Sequence, residues 1–191
     1  NFIINFDRSR KVNSEHISQK AKGSSVLARV APVACIHWDD LQFACRTARQ
    51  QSYLTHSSEI VAASCEYLVL ALSHLIAGRA WTDVCSMLTD YEWPEEIRFV
   101  AEGAWKGKKI KDLVSTKNVV DLLESSFWLL DNSKSFEEAV TSAINLGGSS
   151  DTLGAIVGQL AGAFYGLESI PVRWFDQLAN VDKLTDVAMQ M

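Results

Sequence analysis

The sequence is poor in the residues that interrupt regular structure: 10 glycines and 3 prolines in 191 residues, which argues against long irregular regions. It also lacks a basic excess. Its 18 Lys and Arg stand against 23 Asp and Glu, a net charge of −5, so no nucleic-acid surface is expected. No Cys-x-x-Cys pair occurs. Cys35, Cys45, Cys65 and Cys85 are widely spaced, which leaves zinc and thioredoxin readings without support. Each lies among apolar residues, where a thiol packs as a small hydrophobe; reduced core thiols of an intracellular, cytoplasmic protein are expected. No charged segment followed by an apolar one opens the chain, so no signal peptide is visible. A clean membrane span is missing too. Glu66 and His74 interrupt the most apolar stretch, Ile60 to Ala77, which reads as a buried core helix. Neither a nucleic acid nor a membrane is therefore expected as a partner. Hydrophobic residues make up 48% and charged residues 21% of the chain, ordinary for a globular domain and incompatible with disorder.

What is present is helical periodicity. Apolar residues recur with a period near 3.6, and alternation is nearly absent. Asp39-Asp40 can cap a helix reaching about Tyr53, and Ser57-Ser58-Glu59 opens a long apolar helix to about Ala77. Further helices are expected over Trp81–Leu88, from Trp93-Pro94-Glu95-Glu96 onward with Pro94 in the first turn, over Val119–Leu130, from Ser135, and from about Asp151 to Tyr165. The one candidate strand is Phe2 to Phe6. No internal repeat or linker divides the chain, so 1–191 reads as one all-α domain. The basic run Lys106 to Lys111 has no interleaved aromatics and reads as a solvated loop.

The most informative segment runs from Asn145 to Trp174. Gly147-Gly148 ends one helix, and Ser149, Ser150, Asp151 and Thr152 supply oxygen-bearing side chains as the next begins. These side chains could cap the helix or line a site at its mouth. Gly154, Gly158, Gly162 and Gly166 then recur every fourth residue, which puts one nearly bare stripe on a helix. Each interior glycine costs about 1 kcal/mol relative to alanine. Such a stripe is expected where another backbone approaches closely, with this helix running through the centre of a tight bundle.

Several of these motifs together resemble the ADP-ribosylglycohydrolases. Phe136-Glu137-Glu138-Ala139, Asn145-Leu146-Gly147-Gly148, Asp151-Thr152, the glycine-striped helix, Tyr165-Gly166 and Ile170-Pro171 through Trp174 are similar to that family's C-terminal signature. Upstream, Gly23 to Pro32 resembles its Gly-Asn-Gly…Met-Arg-Val-Ala-Pro segment, and Leu54-Thr55-His56 its Thr-His motif. The resemblance covers residues 23–174, roughly the C-terminal two thirds of a family member, and implies a compact orthogonal bundle lacking the N-terminal helices.

It also implies chemistry: removal of ADP-ribose from modified side chains or small molecules, with a pair of Mg2+ ions orienting the ribose hydroxyls and a water at the anomeric carbon. On the matching positions Asp151, Thr152 and Ser149 would be the metal-ligating set, and Gly23, Ser24, His56 and Gly148 the substrate-binding set. No catalytic residue can be carried over. Arg29 matches the family's arginine beside the Ala-Pro turn, where a paired structural role is expected. Two departures weaken the metal site. Ser149 stands where the family has an Asp, and no Thr-Asp-Asp motif occurs in the chain. The expected partners are ADP-ribose or an ADP-ribosylated protein, and a missing N-terminal segment or partner chain that completes the site. The alternative is a degenerate, non-catalytic member that binds ADP-ribose or another protein.

Overall fold

A computed structural model of the chain describes residues 22–190; the expected strand Phe2 to Phe6 lies outside them. Every regular element among the described residues is helical. After a 3-10 turn at Leu27–Arg29 come α1 (Ala31–His37), α2 (Leu41–Ser52), α3 (Glu59–Ile76), α4 (Trp81–Met87) and α5 (Glu95–Ala101). Then follow α6 (Val119–Asp131), α7 (Phe136–Asn145), α8 (Ser150–Tyr165), α9 (Val172–Phe175) and α10 (Val181–Ala188).

Local chemistry explains most of these boundaries. Asp40 accepts a hydrogen bond from the Phe43 N–H at 2.9 Å and so starts α2. Asn118 accepts from Val120 N–H at 3.0 Å to start α6, and Ser135 from Glu138 N–H at 3.1 Å to start α7. Each cap satisfies an orphan first-turn donor. Pro94 sits at the N-cap of α5, one residue before its expected place in the first turn. Helices α1, α9 and α10 are too short or too weakly patterned to stand out in the sequence.

Helix α3 is the axis of the fold. It is apolar on all sides and packs against α1, α2, α4, α5, α6 and α8, the position that an all-round apolar helix requires. By length and hydropathy it could cross a membrane, yet 78% of it is buried by the other helices, as expected of a core helix. Beside it, Tyr67, Trp81, Trp105 and Phe127 form an aromatic cluster with centroids 5.0–6.4 Å apart. The Trp81 and Trp105 indole N–H groups donate to Asp131 and to the Val100 carbonyl, so the rings are buried without orphan donors.

Two expectations are corrected. The glycine stripe of α8 does not receive another backbone. A side chain at Gly158 would meet nothing within 4 Å, and at Gly154 and Gly162 only the Ile144 and Phe136 side chains, 3.4 and 3.9 Å away. The stripe instead floors an open apolar groove of about 380 Å³ between α1, α3 and α8, lined by Ala34, Leu72 and Ile76 among others. The cysteines also divide. All four are free thiols. Cys65 is buried and its thiol is pushed up to about 12 by desolvation; Cys45 and Cys85, half-buried, rise to about 12 and about 11 for the same leading reason. Cys35 is exposed, because α1 buries only Ala34 and turns its next residue outward. The basic run is a loop as expected, with Lys108 paired to Glu124.

Candidate functional site at the mouth of helix α8

Three separated segments meet at the N-terminus of α8. Gly23 forms an isolated antiparallel bridge with Asn118, and Val119 N–H donates to the Lys22 carbonyl at 2.8 Å. On the other side, Ser149 N–H donates to the Ser115 carbonyl at 3.0 Å. The 115–118 loop is therefore stitched to both neighbours. Gly148 makes this approach possible. It has φ +62°, and a Cβ there would lie 2.0 Å from the Ser115 oxygen. Gly147, φ +70°, completes the left-handed reversal from α7 into α8.

The three segments enclose a cleft of about 210 Å³, lined by Gly23, Ser24, Ser25, Lys117, Ser149, Asp151 and Thr152. That is below the roughly 300–1,000 Å³ of pockets that engulf a whole ligand, and suits part of a nucleotide. Ser149 occupies the N-cap position, but its side chain makes no capping hydrogen bond; the hydroxyl is left to the cleft. Asp151 is exposed, and its Oδ1 accepts from the Thr152 N–H at 2.7 Å. Thus Asp151, Thr152 and Ser149, the expected metal set, do share one wall, with Gly23 and Ser24 opposite. Gly148 lies behind the wall and shapes it through its backbone.

His56 stands next to this cleft rather than in its lining. Its Nε2 would be 2.6 Å from a Cβ on Gly23, so the ring occupies the space that glycine leaves. Its Nδ1 lies 2.9 Å from the Thr55 hydroxyl, which accepts from Arg29 Nη2 at 2.6 Å. The Thr55 hydroxyl thus links Arg29 to the imidazole, with the donor in the Thr55–His56 bond set by the imidazole tautomer. Arg29 also donates to the Gln51 side chain at 2.7 Å and to its carbonyl at 3.2 Å. It thus positions Thr55 and His56. Gln159 on α8 anchors the same turn, donating to the Leu27 carbonyl at 3.0 Å and accepting from Ala31 N–H at 2.8 Å.

Burial, and secondly the Arg29 charge, hold the His56 imidazole below its ordinary value of 6.5. A histidine so depressed stabilises the fold above about pH 6.5, and this contribution is lost as pH falls through the folded-state midpoint. We expect Arg29→Gln to move the His56 midpoint upward, toward but not to 6.5, because desolvation persists. An NMR titration of the ring protons checks this, and an unmoved midpoint would remove Arg29 as a cause.

Residue types, not only positions, decide what the cleft can hold. Among the described residues no three His, Cys, Asp or Glu side chains gather as a metal-ligand set, and Asp151 is the sole carboxylate of the lining. A pair of Mg2+ ions, each wanting several oxygen ligands with carboxylate charge, does not fit this donor set. Lys117 and Ser25 were not evident from the sequence; no local signal couples them to Ser149. A larger concavity, about 460 Å³ beside Tyr91 and Trp93, lies away from these residues. Its half-buried Glu66 is already held by Arg49 through two hydrogen bonds of 2.7 Å.

The helical fold, with its glycine-shaped reversal and polar cleft at the mouth of α8, defines the class of protein. The profile of the ADP-ribosylglycohydrolases matches residues 1–191, and the chain belongs to that family. An ADP-ribosylarginine hydrolase of Serratia proteamaculans is 31% identical over 169 residues, 88% of this chain and 46% of that relative. The ADP-ribosyl-[dinitrogen reductase] glycohydrolase of Rhodospirillum rubrum is 30% identical over 128 residues, 67% of this chain and 41% of its own. Among solved structures, an ADP-ribosylglycohydrolase-related protein complex superposes with a TM-score of 0.83 at 25% identity, over 97% of this chain and 64% of that one. The chain spans about half the length of the curated relatives it matches.

Proposed function

We propose that the cleft at the mouth of α8 recognises the ADP-ribosyl group of an ADP-ribosylated protein, as part of a hydrolase of the N- or O-glycosidic bond to that group. One observation carries the reading: Gly23-Ser24 and Ser149, Asp151 and Thr152, distant in sequence, line one cleft joined by the 115–118 loop, with His56 against Gly23 beside it, in a chain whose relatives are ADP-ribosyl hydrolases. The chain's own residues would bind and orient. Serine and threonine hydroxyls and the first-turn N–H groups of α8 offer donors to phosphate and ribose oxygens, and His56 sets its Nε2 edge beside Gly23.

No hydrolytic step is assigned to the residues described. A metal pair would need carboxylates from a segment outside residues 22–190 or from a partner chain, and the open apolar groove along α8 offers packing surface to either. The second reading, a binding module without catalysis, is favoured by one specific feature, Ser149 in place of an acid. Calorimetric titration of ADP-ribose into the full chain, with magnesium and then with EDTA, tests the binding shared by both readings. Saturable heat is expected, and its absence in both buffers would overturn them. Ser149→Asp separates the metal question. It should raise magnesium affinity, seen as a magnesium-dependent rise in melting temperature absent from the wild type. No gain would show that this position is not where the metal site fails.

A further inference from the structure

We propose that Lys117 supplies the cation of this cleft, so that the diphosphate of ADP-ribose is held by a protein ammonium group and binding needs no divalent metal. The inference rests on the reading of the cleft as an ADP-ribose site. Its starting point is that the lining carries one ammonium group and one carboxylate, Lys117 and Asp151. Lys22 and Lys108 pair with Glu96 and Glu124; Lys117 pairs with no carboxylate among the described residues, and its charge is available.

The backbone beneath Lys117 is held firmly. Ser115 accepts from Ser149 N–H at 3.0 Å. Thr116 donates its hydroxyl to Asp121 at 2.5 Å and accepts from Asn118 N–H at 3.0 Å. Asn118 caps α6 and bridges to Gly23. A flexible side chain is thereby mounted on a loop fixed to both walls of the cleft.

The rest of the lining matches an anion. Ser24 is only 4% exposed, and its hydroxyl has no hydrogen-bond partner among the described residues although the residue lines the cleft. The Ser24 Oγ is not one of the sealed, unpartnered oxygens among the described residues; it opens to the cleft and can donate to an anion there. Ser25, Ser149 and Thr152 add hydroxyls, and the first turn of α8 adds partial positive charge. A divalent cation placed here would meet one carboxylate, the helix end and the Lys117 ammonium. A diphosphate meets the same single carboxylate, but also an ammonium group, the positive helix end and a set of hydroxyl donors. Ser149 fits this balance, since a carboxylate at that position would compete for the Lys117 charge.

The test is calorimetry in EDTA, with ADP-ribose titrated into the full chain, Lys117→Ala, Lys117→Arg and, as control, Lys111→Ala on an exposed lysine outside the cleft. Loss of a charge-assisted hydrogen bond predicts at least about tenfold weaker binding for Lys117→Ala. Lys117→Arg should retain most of the affinity, Lys111→Ala all of it, and magnesium should change nothing. Adenosine, which lacks phosphate, should bind the wild type and Lys117→Ala alike. If ADP-ribose binds wild type and Lys117→Ala equally, or binds only with magnesium, the role of Lys117 is overturned while the ADP-ribose site stands. If it binds neither with nor without magnesium, the site reading falls and Lys117 with it. Should Lys117→Ala melt lower than wild type, Lys117→Arg decides: restored affinity supports the assignment and lost affinity overturns it.

Discussion

Gly148→Ala is expected to cost about 3 kcal/mol and to open the cleft, the sum of a left-handed backbone penalty of about 1–2 kcal/mol and an overpacking penalty of about 1–3 kcal/mol. The new methyl would sit 2.0 Å from the Ser115 carbonyl oxygen. That oxygen accepts the Ser149 N–H, so relieving the clash breaks the stitch between the 115–118 loop and α8. Lys117 then leaves the wall that carries Asp151. In a chain of this size the loss corresponds to a fall in melting temperature of about 6–12 °C. Gly147→Ala is the internal control. It shares a positive φ, +70°, but its Cβ would meet nothing within 4 Å, so it should cost only about 1–2 kcal/mol. Equal losses for the two variants would show that the Ser115 contact is not the cause.

Arg49→Ala is expected to destabilise by about 2–3 kcal/mol, chiefly through Glu66. Arg49 grips both Glu66 oxygens at 2.7 Å, and the Glu66 side chain is only 16% exposed on α3. Truncation leaves that carboxylate half-buried with no counter-charge. The second ion pair of Arg49, with Glu59, adds little because Glu59 is 60% exposed. Adding Glu66→Gln to Arg49→Ala should therefore recover part of the loss, and adding Glu59→Gln should recover almost none. Urea denaturation of the wild type, the three single variants and the two double variants gives the coupling energies directly. Full additivity of Arg49→Ala and Glu66→Gln would rule out the pair as the source.

These effects act at different distances along the chain, and so do the limits of reading the sequence. The Asp40 and Ser135 caps were visible because a cap and the N–H that donates to it lie within one helical turn. The core helix α3 was visible because a helix apolar on nearly every side must be buried. Family membership was visible because Gly147-Gly148, Asp151-Thr152 and Thr55-His56 keep their order and spacing. The glycine stripe of α8 misled, since the sequence shows that side chains are missing but not what fills the space. Here side chains of α7 cover part of it and a groove remains. Cys35 misled for a related reason, as apolar neighbours in sequence are not neighbours in space on a helix.

The sequence by itself determined the helical class, most helix starts and the family motifs, because these depend on local periodicity and on residue identity. The tertiary structure alone decided which of them meet. It brings the 22–25 and 115–118 segments to the mouth of α8 through backbone hydrogen bonds that leave no trace in residue type. It sets His56 against Gly23, and it places Lys117, an unremarked loop lysine, in the same cleft as Asp151. The charge of the cleft is a sum over groups distant in the chain, and only their folding together sets it.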